Sequence, residues 1–182
     1  MAEIHVRPFV PADLASLAKI DHAYSTDRVW KLDVQRTGTL IQVSLREQRL
    51  PRAIQQSAPR DGAQLLTGWK DHWGILVGVE GPDRRAEPAG YISFDHGREP
   101  ASVHIGELAV AGVSRRRGIA KALLLAAEEW TTQQSCRQII LEIPSKNVPA
   151  LNLAARMGYD FCGYSDRYFS NRDVALFFGK NI

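Results

Sequence analysis

The chain has 182 residues, 45% hydrophobic and 24% charged, with a formal net charge of +3. That length suits one domain with a sizeable core, and so mild a charge argues against a nucleic-acid binder, which needs a clustered basic face with aromatics. No apolar run approaches the ~18 residues of a membrane span, MAEIHVRPF has no secretory pattern, and Cys136 and Cys162 lack metal-ligand spacing.

The expectation is therefore a single cytoplasmic domain spanning 1–182, with reduced thiols and no metal, nucleic-acid or membrane partner. Ile4–Phe9 alternates as a strand, and Pro11 opens a helix to about Asp21 with Leu14, Leu17 and Ala18 inward. Arg28–Arg36 and Leu40–Leu50 flank Thr37-Gly38-Thr39 and read as a hairpin or a pair of extended arms ended by Pro51. Ala53–Ser57 reads as a helical turn, and Pro59–Gly62 as a turn. Trp73–Glu80 and Ala89–Asp95 form an antiparallel pair, and Val103–Val110 is the next strand.

Gly112–Gly118 is a tight basic turn before a helix whose inner face is Ile119, Leu123, Ala126, Ala127 and Trp130. Gln138–Ile143 is a buried strand. Asn147 caps a further helix that Gly158 stops, and Tyr159–Gly163 and Val174–Gly179 are closing strands. The order describes a mixed α/β fold with helices packed on the faces of a sheet.

A turn running into a helix leaves N–H groups pointing at one spot, where the dipole adds positive charge. Arg115, Arg116 and Arg117 lie beside that spot, and Gly118 has no Cβ to obstruct an anion. No P-loop or G-x-G-x-x-G pattern is present. Arg115-x-x-Gly118-x-Ala120 resembles the Arg/Gln-x-x-Gly-x-Gly/Ala signature of the GNAT N-acetyltransferases. About thirty residues later, Asn147-x-x-Ala150-Leu151-x-Leu153-x-x-x-Met157-Gly158-Tyr159 resembles that family's C-terminal motif. Asp21–Trp30, Ser44–Glu47 and Met157–Gly163 are similar to the streptothricin acetyltransferases, which acetylate a lysine-like amine.

The resemblance implies a mostly antiparallel, twisted mixed sheet of about seven strands. It also implies acetyl-CoA as co-substrate, a small-molecule amine as acceptor, and a monomer or homodimer. Main chain at Leu108, Ala109 and Val110 would pair with the pantetheine arm. Ser114, Arg115, Arg116, Arg117, Gly118, Ile119 and Ala120 would hold the diphosphate, with Arg115 the motif arginine and Arg116 and Arg117 touching phosphate or only solvent, and Asn147 would touch the arm or only cap its helix.

Glu107 is the candidate general base, ahead of His104 and Asp95. The family's tyrosine acid falls at Ala154, so Tyr164, Tyr168 or water would replace it. Tyr24, Asp27, Trp30 and Asp95 are candidates for the acceptor wall, with Trp69 and Trp73 as further aromatics. Acetylation of a protein N-terminus or lysine, and a catalytically weak acyl-CoA-binding module, are the rival readings.

Overall fold

The computed structural model describes residues 3–57, 68–97 and 101–182. Seven strands form one sheet in the order β1-β4-β5-β6-β7-β9-β8, and β2 and β3 form a separate hairpin. The strands are β1 Ile4–Pro8, β2 Tyr24–Thr37, β3 Leu40–Gln56, β4 Gly74–Glu80, β5 Pro88–His96, β6 Ser102–Val110, β7 Gln138–Pro144, β8 Asp160–Ser165 and β9 Ala175–Asn181. Among them only β6 and β7 run parallel.

Helix α2 (Ile119–Gln133) and helix α3 (Val148–Arg156) cover one face of the sheet. Their buried Ile119, Leu123, Leu124, Ala127, Val148, Leu151 and Ala154 join Ile92, Phe94, Val103, Ile105, Leu141, Ile143, Leu176 and Phe178 in the larger core. Helix α1 (Leu14–Leu17) covers part of the other face, where Leu17 and Ile20 pack on Ile75, Val77, Tyr91 and Ala109. Because strand side chains alternate between faces, Ser93, His104, Glu107, Glu142 and Phe177 share this second face.

Close approach sets the position of α2. A Cβ on Gly78 would lie 2.8 Å from Ile119 Cγ2, so glycine lets the helix start settle onto β4.

Three expectations change. The first helix is only a 3-10 turn (Pro11–Asp13) running into the single turn of α1, not a helix to Asp21. Val10, a weak cap by its side chain, is served from below: Asp13 Oδ2 accepts its N–H at 2.9 Å. Pro51 does not end β3, and Ala53–Gln56 is strand, because Thr26 pairs with Ile54 and Tyr24 with Gln56 across a bulge. Proline is tolerated because this is an edge of a two-stranded ribbon. The expected turn Pro59–Gly62 lies outside the described residues.

The feature that opens the fold lies between β6 and β7. They pair only from Ser102↔Gln138 to Ile105↔Leu141, although β6 continues to Val110 and β7 to Pro144. A bulge in β6 coincides with the parting, since Phe94 faces Ile105 but Ser93 faces Glu107. The extra residue bends the strand away from its parallel neighbour.

Candidate active site

The turn of Gly112–Gly118 lies at the C-terminal end of β6, beside the gap. Gly118 has φ +102° and Arg116 φ +66°, left-handed positions on either side of Arg117. Such alternation directs successive N–H groups into one concavity. The first bond of α2 runs from Ala122 N to Gly118 O at 3.0 Å, so the amides of Ile119, Ala120 and Lys121 precede it. No side chain caps this end, whereas Asn147 Oδ1 caps α3 by accepting from Ala150 N at 3.2 Å. No backbone acceptor among the described residues takes the N–H of Arg116, Arg117 or Gly118. The set therefore fits a diphosphate: convergent donors, a residue without Cβ and flanking cations.

The arginines divide by their partners. The Arg115 guanidinium donates to three backbone carbonyls, Val110 at 3.0 Å, Ala23 at 2.8 Å and Asp21 at 2.5 Å. It clamps the end of β6 to the loop of residues 21–23. Ser114 also turns inward, 5% exposed, donating its hydroxyl to Glu80 Oε2 at 3.1 Å and its N–H to Ala111 O. Arg117 pairs with the same Glu80 carboxylate at 3.3 Å, and Arg116 makes no ion pair among the described residues. The amides open to an anion thus run from Arg116 to Lys121, slightly later than the sequence placed them.

Main-chain direction sorts the arm-binding residues too. Ala111 N bonds to Ala89 O at 2.8 Å, which makes Gly90–Val110 a non-bonded pair of the antiparallel ladder. The main chain of Val110 and Leu108 therefore faces the gap, while that of Ala109 faces Tyr91 on β5. The Val110 carbonyl is already taken by Arg115, leaving its N–H toward the gap.

Glu107 sits where β6 bends, on the face shared with α1. Its Oε2 accepts a hydrogen bond from the Tyr91 hydroxyl, and Tyr91 is fully buried. Tyr91 Oη in turn lies 3.1 Å from His22 Nε2. Directly across the ladder from Glu107, Ser93 Oγ is buried with no hydrogen-bond partner among the described residues.

A second carboxylate, which the sequence reading missed, lies on the same face. Glu142 on β7 is one residue past the last β6–β7 pair. Its Oε2 accepts from the Tyr168 hydroxyl at 2.8 Å, and its Oε1 lies 3.1 Å from His104 Nδ1. The signal was alternation: a charged residue between Leu141 and Ile143 has to point to the opposite face. Tyr168, 41% exposed, thus belongs to the face of Glu107. Tyr164 packs against the larger core on the other side, which separates it from Glu107.

The acceptor-wall candidates scatter. Tyr24 is only 7% exposed; burial, with Asp173 nearby, pushes its phenol well above the usual range, and it is a core residue. Asp27 pairs with Arg49 at 3.8 Å and Arg28 at 4.0 Å out on the hairpin. Asp95 bonds to His72 at 2.7 Å, Trp73 stacks on His96 at 3.6 Å, and Trp69 packs on Phe9. Trp30 lines a groove of about 630 Å³ with Leu32, Val34, Lys146, Tyr164 and Val174. Its N–H bonds to Ser145 O at 2.9 Å, which anchors the hairpin beside the end of β7.

No cluster of His, Cys, Asp or Glu suited to a metal ion occurs among the described residues. No helix among them is long and apolar enough to cross a membrane.

Comparison with known proteins shows the family and the fold. Residues 43–159 match the family model "Acetyltransferase (GNAT) family". The chain is 23% identical over 155 residues to a streptothricin acetyltransferase from Streptomyces lavendulae, covering 84% of this chain and 79% of that one. Its fold is similar to the crystal structure of nourseothricin acetyltransferase, with TM-score 0.80, 22% identity and 98% of each chain covered. It is also similar to a Bacillus anthracis structure in complex with acetyl coenzyme A, with TM-score 0.75, 16% identity, and 99% of this chain and 100% of that one covered.

Proposed function

The chain belongs to the acetyltransferase (GNAT) family and is an acetyl-CoA-dependent acyltransferase, and from that premise we propose that its acceptor is a primary amine on a small cationic molecule of the streptothricin type. Acetyl-CoA supplies an activated acetyl group as a thioester. The amides of Arg116–Lys121 would hold its diphosphate, and Leu108 and Val110 would hold its arm along the open edge of β6. An N–H on that edge would face the thioester oxygen.

An alkyl ammonium has a pKa near ~10.4, so at neutral pH it must lose a proton before it attacks. Glu107 takes that proton, because it is the carboxylate on β6 at the point where the strand leaves β7. This placement is the observation that carries the proposal. Glu142, on the same face, adds a second negative charge that favours a cationic acceptor. The Tyr168 hydroxyl bonded to it stands in for the acid absent at Ala154, which lies buried in the larger core. A thiolate leaving group, with a pKa near ~8.5, needs little help. The reaction has no metal requirement in this reading, and the enzyme acts in the cytoplasm.

The test is thiol release from acetyl-CoA with a panel of acceptors: streptothricin, spermidine and peptides with free N-termini. Release with streptothricin or spermidine supports the proposal. Release with peptides alone assigns a protein acceptor, and tight CoA binding with no release assigns a binding module. Glu107→Gln should lower kcat at pH 7 by roughly 10²–10⁴-fold and much less near pH 10, where the amine deprotonates unaided. Equal losses at both pH values would remove Glu107 as base.

A further inference from the structure

We infer that Tyr91 and His22 form the outlet for the proton that Glu107 removes from the acceptor, an inference that rests on the reading of Glu107 as base. Glu107, Tyr91 and His22 are joined in one unbroken chain of hydrogen bonds. Tyr91 lies wholly inside the protein, in the smaller core formed by Leu17, Ile20, Ile75, Val77 and Ala109. A phenylalanine would fill that apolar space as well. The hydroxyl is set between a carboxylate and an imidazole and touches both.

His22 sits in the loop after α1 and is partly exposed, so the chain runs from the acceptor face through the core toward solvent. Its ring lies 5.7 Å from that of Tyr91, tilted by 46°.

The loop carrying His22 is held from both sides. Arg115 donates to the carbonyls of Asp21 and Ala23, the two residues flanking His22, and Asp21 Oδ1 accepts the N–H of Ala23 at 2.8 Å. The same guanidinium grips Val110 O at the end of β6. One arginine therefore ties the end of the strand that carries Glu107 to the loop that carries His22. This gives Arg115 a function that does not involve phosphate. Arg115, through those carbonyls, and the Asp21 carboxylate, through the Ala23 N–H, are charged groups bound to the loop that carries His22.

The transfer balances. The ammonium N–H bond breaks as an O–H bond forms on Glu107. The His22 proton moves from Nε2 to Nδ1 by exchange with water and the Tyr91 hydroxyl turns from Glu107 to Nε2; Glu107 then gives its proton to Tyr91 Oη while the Tyr91 O–H proton passes to Nε2. The resulting imidazolium releases its Nδ1 proton to water, which leaves Nε2–H facing Tyr91 again as the Tyr91 hydroxyl turns back to Glu107. Carboxylate, phenol and imidazole are all restored, with no other reactant consumed.

Three variants are compared at saturating acetyl-CoA, with streptothricin as acceptor and dilute buffer. His22→Ala should lower kcat by about tenfold, a fraction of what a general base contributes, with KM for acetyl-CoA unchanged, and added imidazole should restore the rate. His22→Gln can still donate to Tyr91 but carries no titrating proton, so it should be as slow as His22→Ala. Tyr91→Phe should be slow and insensitive to imidazole. Full activity in His22→Ala, recovery in His22→Gln, or no response to imidazole would each overturn the relay. A fully active Glu107→Gln would instead overturn the base assignment, whatever the histidine variants do. The contact is also read without turnover, by ¹⁵N NMR of the His22 ring: Tyr91→Phe should shift the Nε2 resonance, and an unmoved resonance would overturn the inference.

Discussion

Single residues of the turn carry opposite roles within a few positions. Gly118 holds φ +102°, a conformation that strains any L-residue, and a Cβ there would still find room, meeting only Ile4 Cδ1 at 3.5 Å. In the proposed binding mode a large side chain there would compete with the diphosphate for room beside the turn. Gly118→Trp should therefore weaken CoA binding in calorimetry by more than about tenfold, equivalent to ~1.4 kcal/mol, with the circular-dichroism spectrum retained. Unchanged affinity would move the diphosphate elsewhere. Glu80 acts the other way, since its carboxylate occupies Arg117 at 3.3 Å. Glu80→Gln keeps an acceptor for Ser114 and frees the guanidinium. CoA should bind a few-fold more tightly, in keeping with the ~0.2–1 kcal/mol of an exposed pair, and weaker binding would show that Arg117 does not reach the phosphates.

Elements show which parts of the fold could be read from the sequence and which could not. Periodicity found α2, β4, β5, β6 and β7 almost to the residue, because each buries a regular face. It overextended the first helix, since Leu14, Leu17 and Ala18 satisfy a helical spacing whether the chain makes one turn or three. What holds α1 is an ion pair that no periodicity reveals: Arg7 donates twice to Asp13, at 2.8 Å each.

Burial alone would push the Asp13 carboxyl up, but the Arg7 hydrogen bonds and the Val10 N–H hold it below the usual carboxylate range. Its folded pKa is thus below the unfolded value near ~3.9. The stability it contributes is complete above that value and disappears as pH falls through the lower folded one. Asp13→Asn should cost roughly 1.5–3 kcal/mol in urea unfolding at pH 7, and the difference should close in strong acid. A pH-independent difference would mean that packing, not charge, is lost.

At the start of α3, Asn147→Asp keeps an oxygen for the Ala150 N–H but loses the side-chain amide. The account expects unchanged thermal stability and a raised KM for acetyl-CoA. An unchanged KM would leave Asn147 as a helix cap alone.

At the scale of the whole molecule, the proposed site rests on two parallel strands that stop pairing. The sequence showed the strand, turn and helix that border the gap. It also singled out Glu107 and the basic turn. It did not show that β6 and β7 part after Ile105 and Leu141, because the loss of a partner leaves no mark on either strand's own alternation. Glu142, Tyr91 and His22 were missed for the same reason: each takes its role from a neighbour distant in the chain. The partners that separate the three arginines came only with the fold, which gave Arg115 three carbonyls and Arg117 a carboxylate. The hairpin was recognised, but its reach through Pro51 depended on the pairing of Thr26 with Ile54.

In the proposed binding mode one end of the gap receives the diphosphate and its β6 edge receives the arm. A backbone ¹⁵N NMR titration with CoA tests it most directly. The account predicts the largest shifts at the amides of Arg116–Lys121, with a second set at Leu108 and Val110. Shifts confined to the groove of Trp30, Lys146 and Tyr164, with the turn unmoved, would contradict it.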